Sequence, residues 1–158
     1  MTSTSSATAD RELVLSRVFD APRELVYRAW TDSTHIVKWW GPKGFTTTVH
    51  EMDVRPGGVW RFIMHAPNGT DYGNKIVFHE VVPPERLVFT HGSDAEVDEY
   101  AFEATITFAE EGAGKTRLTL RQVYPTSEAR DYVAREFHAV EMGNQTFDRF
   151  AEFLRGYA

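Results

Sequence analysis

Cysteine is absent from the 158 residues, which excludes disulfide bonds, thiol nucleophiles and thiolate metal sites. Long apolar runs are also missing, since none approaches the ~20 residues that cross a bilayer. Basic clusters are missing too, and 17 basic against 23 acidic residues give a net charge of −6, which argues against nucleic-acid binding. We therefore expect a cytoplasmic protein that binds neither nucleic acid nor membrane.

The remaining composition is typical of one globular domain. Hydrophobic residues make up 42% of the chain, and the aromatic share is 13% with 11 phenylalanines, which provides rigid apolar surface for a core or a pocket. Residues 1–10 are polar and lack the charged start and apolar centre of a secretory signal. We expect a disordered tail over residues 1–10 and a single domain over residues 11–158.

Hydrophobic periodicity predicts an α+β fold. A first strand over residues 11–19 is followed by two short helices, the second of which ends at Gly41-Pro42. From residue 45 the period changes to two. Six further strands are predicted over residues 45–54, 59–65, 72–82, 86–91, 100–109 and 115–124. The turns between them are short, and short turns imply antiparallel neighbours, so we expect a curved antiparallel sheet of about seven strands.

The last stretch, residues 126–154, is predicted to be one long amphipathic helix. Its apolar residues recur at helical spacing, and they are Ala129, Val133, Phe137, Val140, Phe147, Phe150 and Leu154. Gly143 interrupts the stripe, and a glycine inside a helix costs about 1 kcal/mol relative to alanine. Gly143 therefore indicates either close packing or a space left open. The sheet is expected to cover its apolar face with this helix.

Six motifs spread over residues 12–155 carry a family resemblance. They are RVFDAPRELVYRAWTD (17–32), KWWGPKGFT (38–46), MDVRPGGVWRFIMHAPNGT (52–70), HEVVPPERLVFT (79–90), KTRLTLRQVY (115–124) and FDRFAEFL (147–154). Together they resemble the activator of Hsp90 ATPase homologue 1-like family of the START/Bet v 1-like (SRPBCC) superfamily. The resemblance implies a helix-grip fold with a cavity between the sheet and the C-terminal helix, but it implies no reaction. Many members carry Gly-Trp in the final helix, where this chain has Glu141-Met142-Gly143-Asn144.

The alternation of the strands, together with this expected cavity, yields a set of candidate ligand-binding residues, since small-molecule sites are concave and mostly apolar with few polar groups. The set is Trp39, Trp60, Phe62, Met64, Phe78, Phe89, His91, Phe102, Gln122, His138, Met142 and Asn144. The alternative for each is a plain core position. Trp39, Trp40 and Phe45 lie beside the short helices, where cavities of the family usually open, and form either a lid or a hydrophobic plug.

The sequence supports a metal site or an acid–base site less well than a ligand-binding cavity. The six histidines show no H-x-H or H-x-x-x-H spacing, so neither a metal nor a cofactor is expected. Glu51 and Asp53 share a strand face and form a candidate acid–base pair. The favoured alternative is structural: Asp53 and Arg55 would hold the turn at residues 56–58, and Glu80 would accept hydrogen bonds from loop amides.

Three functions remain open from the sequence. The first is a soluble binding protein for a small hydrophobic or amphipathic molecule. The second is a cyclase-, aromatase- or hydrolase-like enzyme in the same cavity, with His91 or His138 acting beside Asp53 or Glu51. The third is a chaperone-accessory interaction domain, which only the family name suggests. An exposed sheet edge would allow a homodimer.

Overall fold

The computed structural model describes residues 9–93, 101–136 and 138–157, without the Tyr157 side chain. A 3₁₀ turn, Ala9–Arg11, leads into the first strand. The strands are β1 (Glu12–Phe19), β2 (Thr46–Met52), β3 (Val59–His65), β4 (Asp71–Val82), β5 (Arg86–Ser93), β6 (Phe102–Glu110) and β7 (Thr116–Val123). The helices are α1 (Arg23–Thr31), α2 (Ser33–Ile36), α3 (Ser127–Glu136) and α4 (Ala139–Tyr157).

All seven strands form one antiparallel sheet in the order β1-β7-β6-β5-β4-β3-β2, which confirms the predicted meander. The buried side chains of β3, β5 and β6 alternate with exposed or half-buried ones, so one face of the sheet is apolar. Strands β1 and β2 are the two edges, and dimerisation through an edge stays a prediction. Among the described residues, no helix is long and apolar enough to cross a bilayer.

The described part of the chain begins at Ala9, two residues before the predicted start of the domain. Residues 1–8 lie outside the described part of the chain, but Ala9 and Asp10 belong to the 3₁₀ turn. Arg11 anchors this turn, because its Nη1 donates to the Tyr124 carbonyl oxygen at 2.7 Å and its own carbonyl accepts from the Tyr124 amide at 2.9 Å. The turn at residues 9–11 is therefore joined to the residue that follows β7.

Two other predicted boundaries also shift. Helix α2 ends at Ile36 instead of residue 40, because residues 37–39 form only a turn. The Trp40 amide bonds to the Ile36 carbonyl at 2.9 Å. Gly92 and Ser93, predicted in a loop over residues 92–99, continue β5. The rest of that loop and Tyr100 lie outside the described residues.

The predicted single C-terminal helix is wrong in one respect: it is two helices. His138 has a φ of 50°, a left-handed conformation that cannot continue a right-handed helix. Its carbonyl oxygen accepts from the Met142 amide at 2.9 Å, so α4 begins there. Val140, which the stripe placed on the apolar side, is 46% exposed. Phe137 lies outside the described residues.

The second half of α4 is anchored by aromatic contacts, as its periodicity predicts. Phe147, Phe150 and Leu154 are buried. The Phe150 ring lies 4.9 Å from that of Phe19 on β1 and 4.3 Å from that of Trp39 after α2. Aromatic pairs at such distances add to the burial of apolar area, so this end of the helix is held against both the sheet edge and the short helices.

The turn between β2 and β3 depends on Gly58. The Arg55 side chain donates to Asp53 Oδ2 at 2.6 Å, which confirms the structural role predicted for this pair. The Gly58 amide bonds to the Arg55 carbonyl at 2.8 Å, and the Gly57 amide bonds to the Phe78 carbonyl at 2.8 Å. A Cβ on Gly58 would overlap the Asp53 carbonyl oxygen.

We expect Gly58→Ala to lower the free energy of unfolding by about 2 kcal/mol or more, because the backbone must move to accept the methyl group. Gly57→Asn is the matched control. Gly57 has a φ of 82° with no atom within 4 Å of an added Cβ, and asparagine tolerates left-handed φ, so a change below about 1 kcal/mol is expected there. Urea denaturation measures both. Equal midpoints for Gly58→Ala and wild type would contradict this account of the turn.

Candidate functional site

A cavity of about 250 Å³ lies between the sheet and helix α4. Its lining is mostly apolar, and none of its described lining residues is Asp, Glu, Lys or Arg. The described residues that line it are Leu15, Trp30, Trp40, Gly41, Pro42, Met64, Phe89, His91, Phe102, Ala104, Leu120, Gln122, Tyr124, Val133, Ala139, Met142, Gly143, Thr146 and Phe147. Concave, mostly apolar sites with few polar groups are typical of small-molecule binding.

Gly143 explains how α4 both touches the sheet and leaves space beside it. A Cβ on Gly143 would overlap Cδ1 of Leu15, so an alanine there would require the end of the Leu15 side chain to move. Gly143 and its neighbours Met142 and Thr146 also line the cavity. The two interpretations left open by the sequence, close packing and open space, therefore both hold at this residue.

Three polar side chains of the cavity come from one region of the sheet: His91 lies on β5, Gln122 lies on β7 and Tyr124 directly follows β7. The Tyr124 hydroxyl donates to Gln122 Oε1 at 3.0 Å. Burial raises the pKa of that hydroxyl, so Tyr124 stays neutral. Because Tyr124 occupies Oε1, the Nε2 group of Gln122 is left as a donor, and it has no hydrogen-bond acceptor within the described ranges.

His91 lies on the same wall, with its ring 5.1 Å from Phe102, which is itself 4.9 Å from the Tyr124 ring. Asn74 Nδ2 donates to the Tyr72 carbonyl at 2.9 Å, which directs Asn74 Oδ1 toward His91 Nε2 at 3.0 Å. Since that oxygen can only accept, Nε2 carries a proton. His91 is therefore oriented by a neighbouring strand.

Arg149 fixes the segment that closes one end of the cavity. Its Nη1 lies 3.0 to 3.2 Å from the carbonyl oxygens of Trp40, Gly41, Pro42 and Phe45. Burial lowers the pKa of Arg149, and the Glu152 carboxylate opposes that decrease. One turn earlier on α4, Gln145 Oε1 accepts from the Lys43 amide at 3.1 Å. Helix α4 thus holds this segment at two points, and Trp40 is set against the cavity.

The structure divides the twelve candidate residues into three groups. Met64, Phe89, His91, Phe102, Gln122 and Met142 line the cavity. Trp39, Trp60, Phe62 and Phe78 are buried in the core and are not among the lining residues. His138 and Asn144 are exposed. For all twelve, ligand contact itself stays a prediction.

The predicted inward position of Asn144 is wrong. Its carbonyl oxygen and Oδ1 lie 3.3 and 3.4 Å from Arg17 Nη2, and Arg17 also pairs with Asp148 at 2.8 Å. Asn144 and Asp148 are four residues apart and share the outer side of α4. His138 is outside the cavity because it forms the break before that helix.

Several residues that line the cavity were not among the candidates predicted from the sequence. Leu15 and Leu120 follow the inward alternation of their strands, and Val133 belongs to the apolar stripe, so a signal was present for these three. Tyr124 and Ala139 gave no such signal, because Tyr124 directly follows β7 and Ala139 is the first residue of α4.

The proposed acid–base partners do not meet in the cavity. Glu51 pairs with Arg61 at 3.6 Å and Asp53 pairs with Arg55 at 2.6 Å, and neither lines the cavity. Glu80 also departs from its predicted role, since it pairs with Arg86 at 2.7 Å instead of accepting from loop amides. No group of three or more metal-ligating side chains is found within the described ranges.

One hydrogen-bonded chain on β2, β3 and β4 has the order of a nucleophile, a base and an orienting acid. His65 Nε2 lies 2.8 Å from Thr48 Oγ1, and His65 Nδ1 lies 2.7 Å from Asp71 Oδ1. Acyl transfer also needs donors for an oxyanion. The nearby Ala66 and Gly69 amides already bond within the following turn. We therefore interpret the chain as a link between three strands.

The sequence matches the family model described as Activator of Hsp90 ATPase homolog 1-like protein over residues 20–155. The chain belongs to this family. The match includes all of α1, the sheet beyond β1 and most of α4. No curated protein matches the sequence.

Solved structures share the family's helix-grip fold. Protein Ms6760 from Mycobacterium smegmatis is 26% identical, with 93% of this chain and 92% of that chain covered and a TM-score of 0.83. Protein NE0264 from Nitrosomonas europaea is 26% identical, with 95% and 97% covered and a TM-score of 0.82. Protein CV1439 from Chromobacterium violaceum is 29% identical, with 89% and 95% covered and a TM-score of 0.75.

We expect Arg149→Met to lower the free energy of unfolding by about 2–4 kcal/mol, because it leaves several partly buried carbonyl groups without their charged donor. Arg155→Met is the control, since Arg155 is exposed near the end of the same helix and a change within about 0.5 kcal/mol is expected. Thermal and urea unfolding of both variants provide the measurement. Similar losses for the two variants would show that Arg149 has no special role.

Proposed function

We propose that this protein binds a small, mostly apolar molecule in the cavity between the sheet and helix α4. The observation that carries the proposal is a cavity of about 250 Å³ without a charged side chain among its described lining residues. At roughly 30 Å³ for each water-sized group, the ligand would contain on the order of eight to ten non-hydrogen atoms. Membership of a family whose START-like fold commonly binds hydrophobic ligands supports the same proposal.

The way the walls are built also supports binding. Gly143, which is unfavourable inside a helix, lets α4 meet Leu15 beside the cavity, and two contacts from α4 hold the segment carrying Trp40. Preformed walls reduce the ordering that binding would otherwise require. No observation on the described residues favours the enzyme or the chaperone-accessory alternative, so neither is proposed here.

Binding is best tested with cumene, an uncharged aromatic hydrocarbon of matching size. The four tryptophans give separate indole N–H signals in ¹H–¹⁵N NMR spectra, and Trp30 and Trp40 line the cavity. We expect cumene to shift the signals of these two residues in a saturable manner. If saturating cumene leaves all indole signals in place, the proposed function is wrong.

Two phenylalanine variants locate the binding site. Ala139→Phe would fill the cavity, because Ala139 lines it, and we expect cumene affinity to fall by about tenfold or more, as the loss of ~1.4 kcal/mol would produce. Val140→Phe is the matched control, since Val140 is the next residue of α4 and is 46% exposed. Equal affinities for the two variants would place the binding site elsewhere.

A further inference from the structure

Gln122 is an unexpected residue at its position in the sheet. It lies on β7 opposite Leu13 of β1 and Ala104 of β6, in the same inward row as Leu118 and Leu120. The Gln122 side chain is half-buried, and withdrawing an amide from water is costly unless it is hydrogen-bonded. An apolar residue at this position would complete the wall without that cost.

The hydrogen-bonding state of Gln122 is fixed by its neighbour. Tyr124, 1% exposed, donates its hydroxyl proton to Gln122 Oε1 at 3.0 Å. The amide is thereby oriented with Oε1 toward the tyrosine, and Nε2 remains as a donor at the cavity wall. Among the described residues no acceptor bonds to Nε2, so one half of the amide is held in place and the other half is available to a guest.

The other described polar groups of the lining do not compete for this role. The Thr146 hydroxyl donates to the Met142 carbonyl at 3.1 Å within α4, and the Nε2 proton of His91 is directed to Asn74. The indole N–H groups of Trp30 and Trp40 are buried without an acceptor, and atoms buried to this degree are out of reach of a bound molecule. Gln122 Nε2 is therefore a donor of the lining without a described acceptor, and a bound molecule that accepts a hydrogen bond would satisfy it.

The absence of a positive charge among the described lining residues further limits the class of ligand. None of the described lining residues is Lys or Arg, so a carboxylate or phosphate in the cavity would be desolvated without a countercharge, which is strongly unfavourable. An uncharged carbonyl or ether oxygen accepts a hydrogen bond at a much smaller desolvation cost.

We infer that the ligand is an uncharged molecule, with an apolar body and a carbonyl-type oxygen that accepts a hydrogen bond from Gln122 Nε2. This inference rests on the proposed function, and it adds the class of ligand and the residue that recognises it. Gln122 is then the specificity-determining residue, and Tyr124 is a positioning residue that orients its amide.

Three probes of equal size separate the contributions of apolar contact, hydrogen bonding and charge to binding. Cumene has no hydrogen-bond acceptor, acetophenone has a neutral carbonyl, and benzoate has a carboxylate. Binding is measured from the Trp30 and Trp40 indole signals at pH 8, above the usual histidine pKa of about 6.5. In Gln122→Met, which keeps the side-chain length, we expect acetophenone affinity to fall about three- to tenfold, the size of one net hydrogen bond. Cumene affinity should be unchanged. Benzoate should bind wild type at least about tenfold more weakly than acetophenone, because it is charged.

Gln122→Met leaves the Tyr124 hydroxyl without its acceptor, which can destabilise the protein. The double variant Gln122→Met/Tyr124→Phe removes both hydrogen-bond partners together and is used if the single variant fails to fold. It should show the same selective loss for acetophenone. Equal changes for acetophenone and cumene, or benzoate binding as tightly as acetophenone, would overturn the inference while cumene binding still supports the proposed function. Failure of cumene to bind wild type would overturn the proposed function and, with it, the inference.

Discussion

The interaction on which the site most depends is made by one half-buried guanidinium group of helix α4. Arg149 gathers four carbonyl oxygens of residues 40–45 around a single nitrogen, and those residues connect the short helices to the first strand of the meander. This contact adds to the bonds that the segment already makes, in which the Phe45 amide donates to the Pro42 carbonyl at 3.1 Å and the Thr47 hydroxyl donates to the Trp40 carbonyl at 3.3 Å. The position of Trp40, and with it one end of the cavity, follows from this contact.

Two different kinds of contact let a single helix form both a core and a cavity. Toward its C-terminal end, Phe147, Phe150 and Leu154 pack against β1 and the short helices. Toward its N-terminal end, Gly143 touches Leu15 and small or flexible residues face the open space. His138 has a left-handed conformation, and α4 begins directly after it. A continuous helix would have carried its apolar stripe past this point, with Val140 on the inner side instead of exposed.

The sequence-based account of the cavity succeeded where alternation alone decides which way a side chain faces. Met64, Phe89, His91 and Phe102 lie on strands with a clear period of two, and all four line the cavity. Trp60, Phe62 and Phe78 share the same face but lie in the core, because other aromatic side chains cover them; the Trp40 ring lies 4.9 Å from that of Trp60. Alternation identifies a face of the sheet, and it does not show which part of that face another element covers.

The sequence by itself determined the order of the elements, the antiparallel meander, the apolar face of the sheet and the family, because these follow from local periodicity, turn residues and motifs. Only the tertiary structure decided where the last helix breaks, how Arg149 binds a segment more than one hundred residues away, and that Tyr124 orients Gln122. Such features depend on the dihedral angle of one residue or on hydrogen bonds between side chains. Neither leaves a periodic trace in the sequence, and both become visible only when distant parts of the chain are brought together.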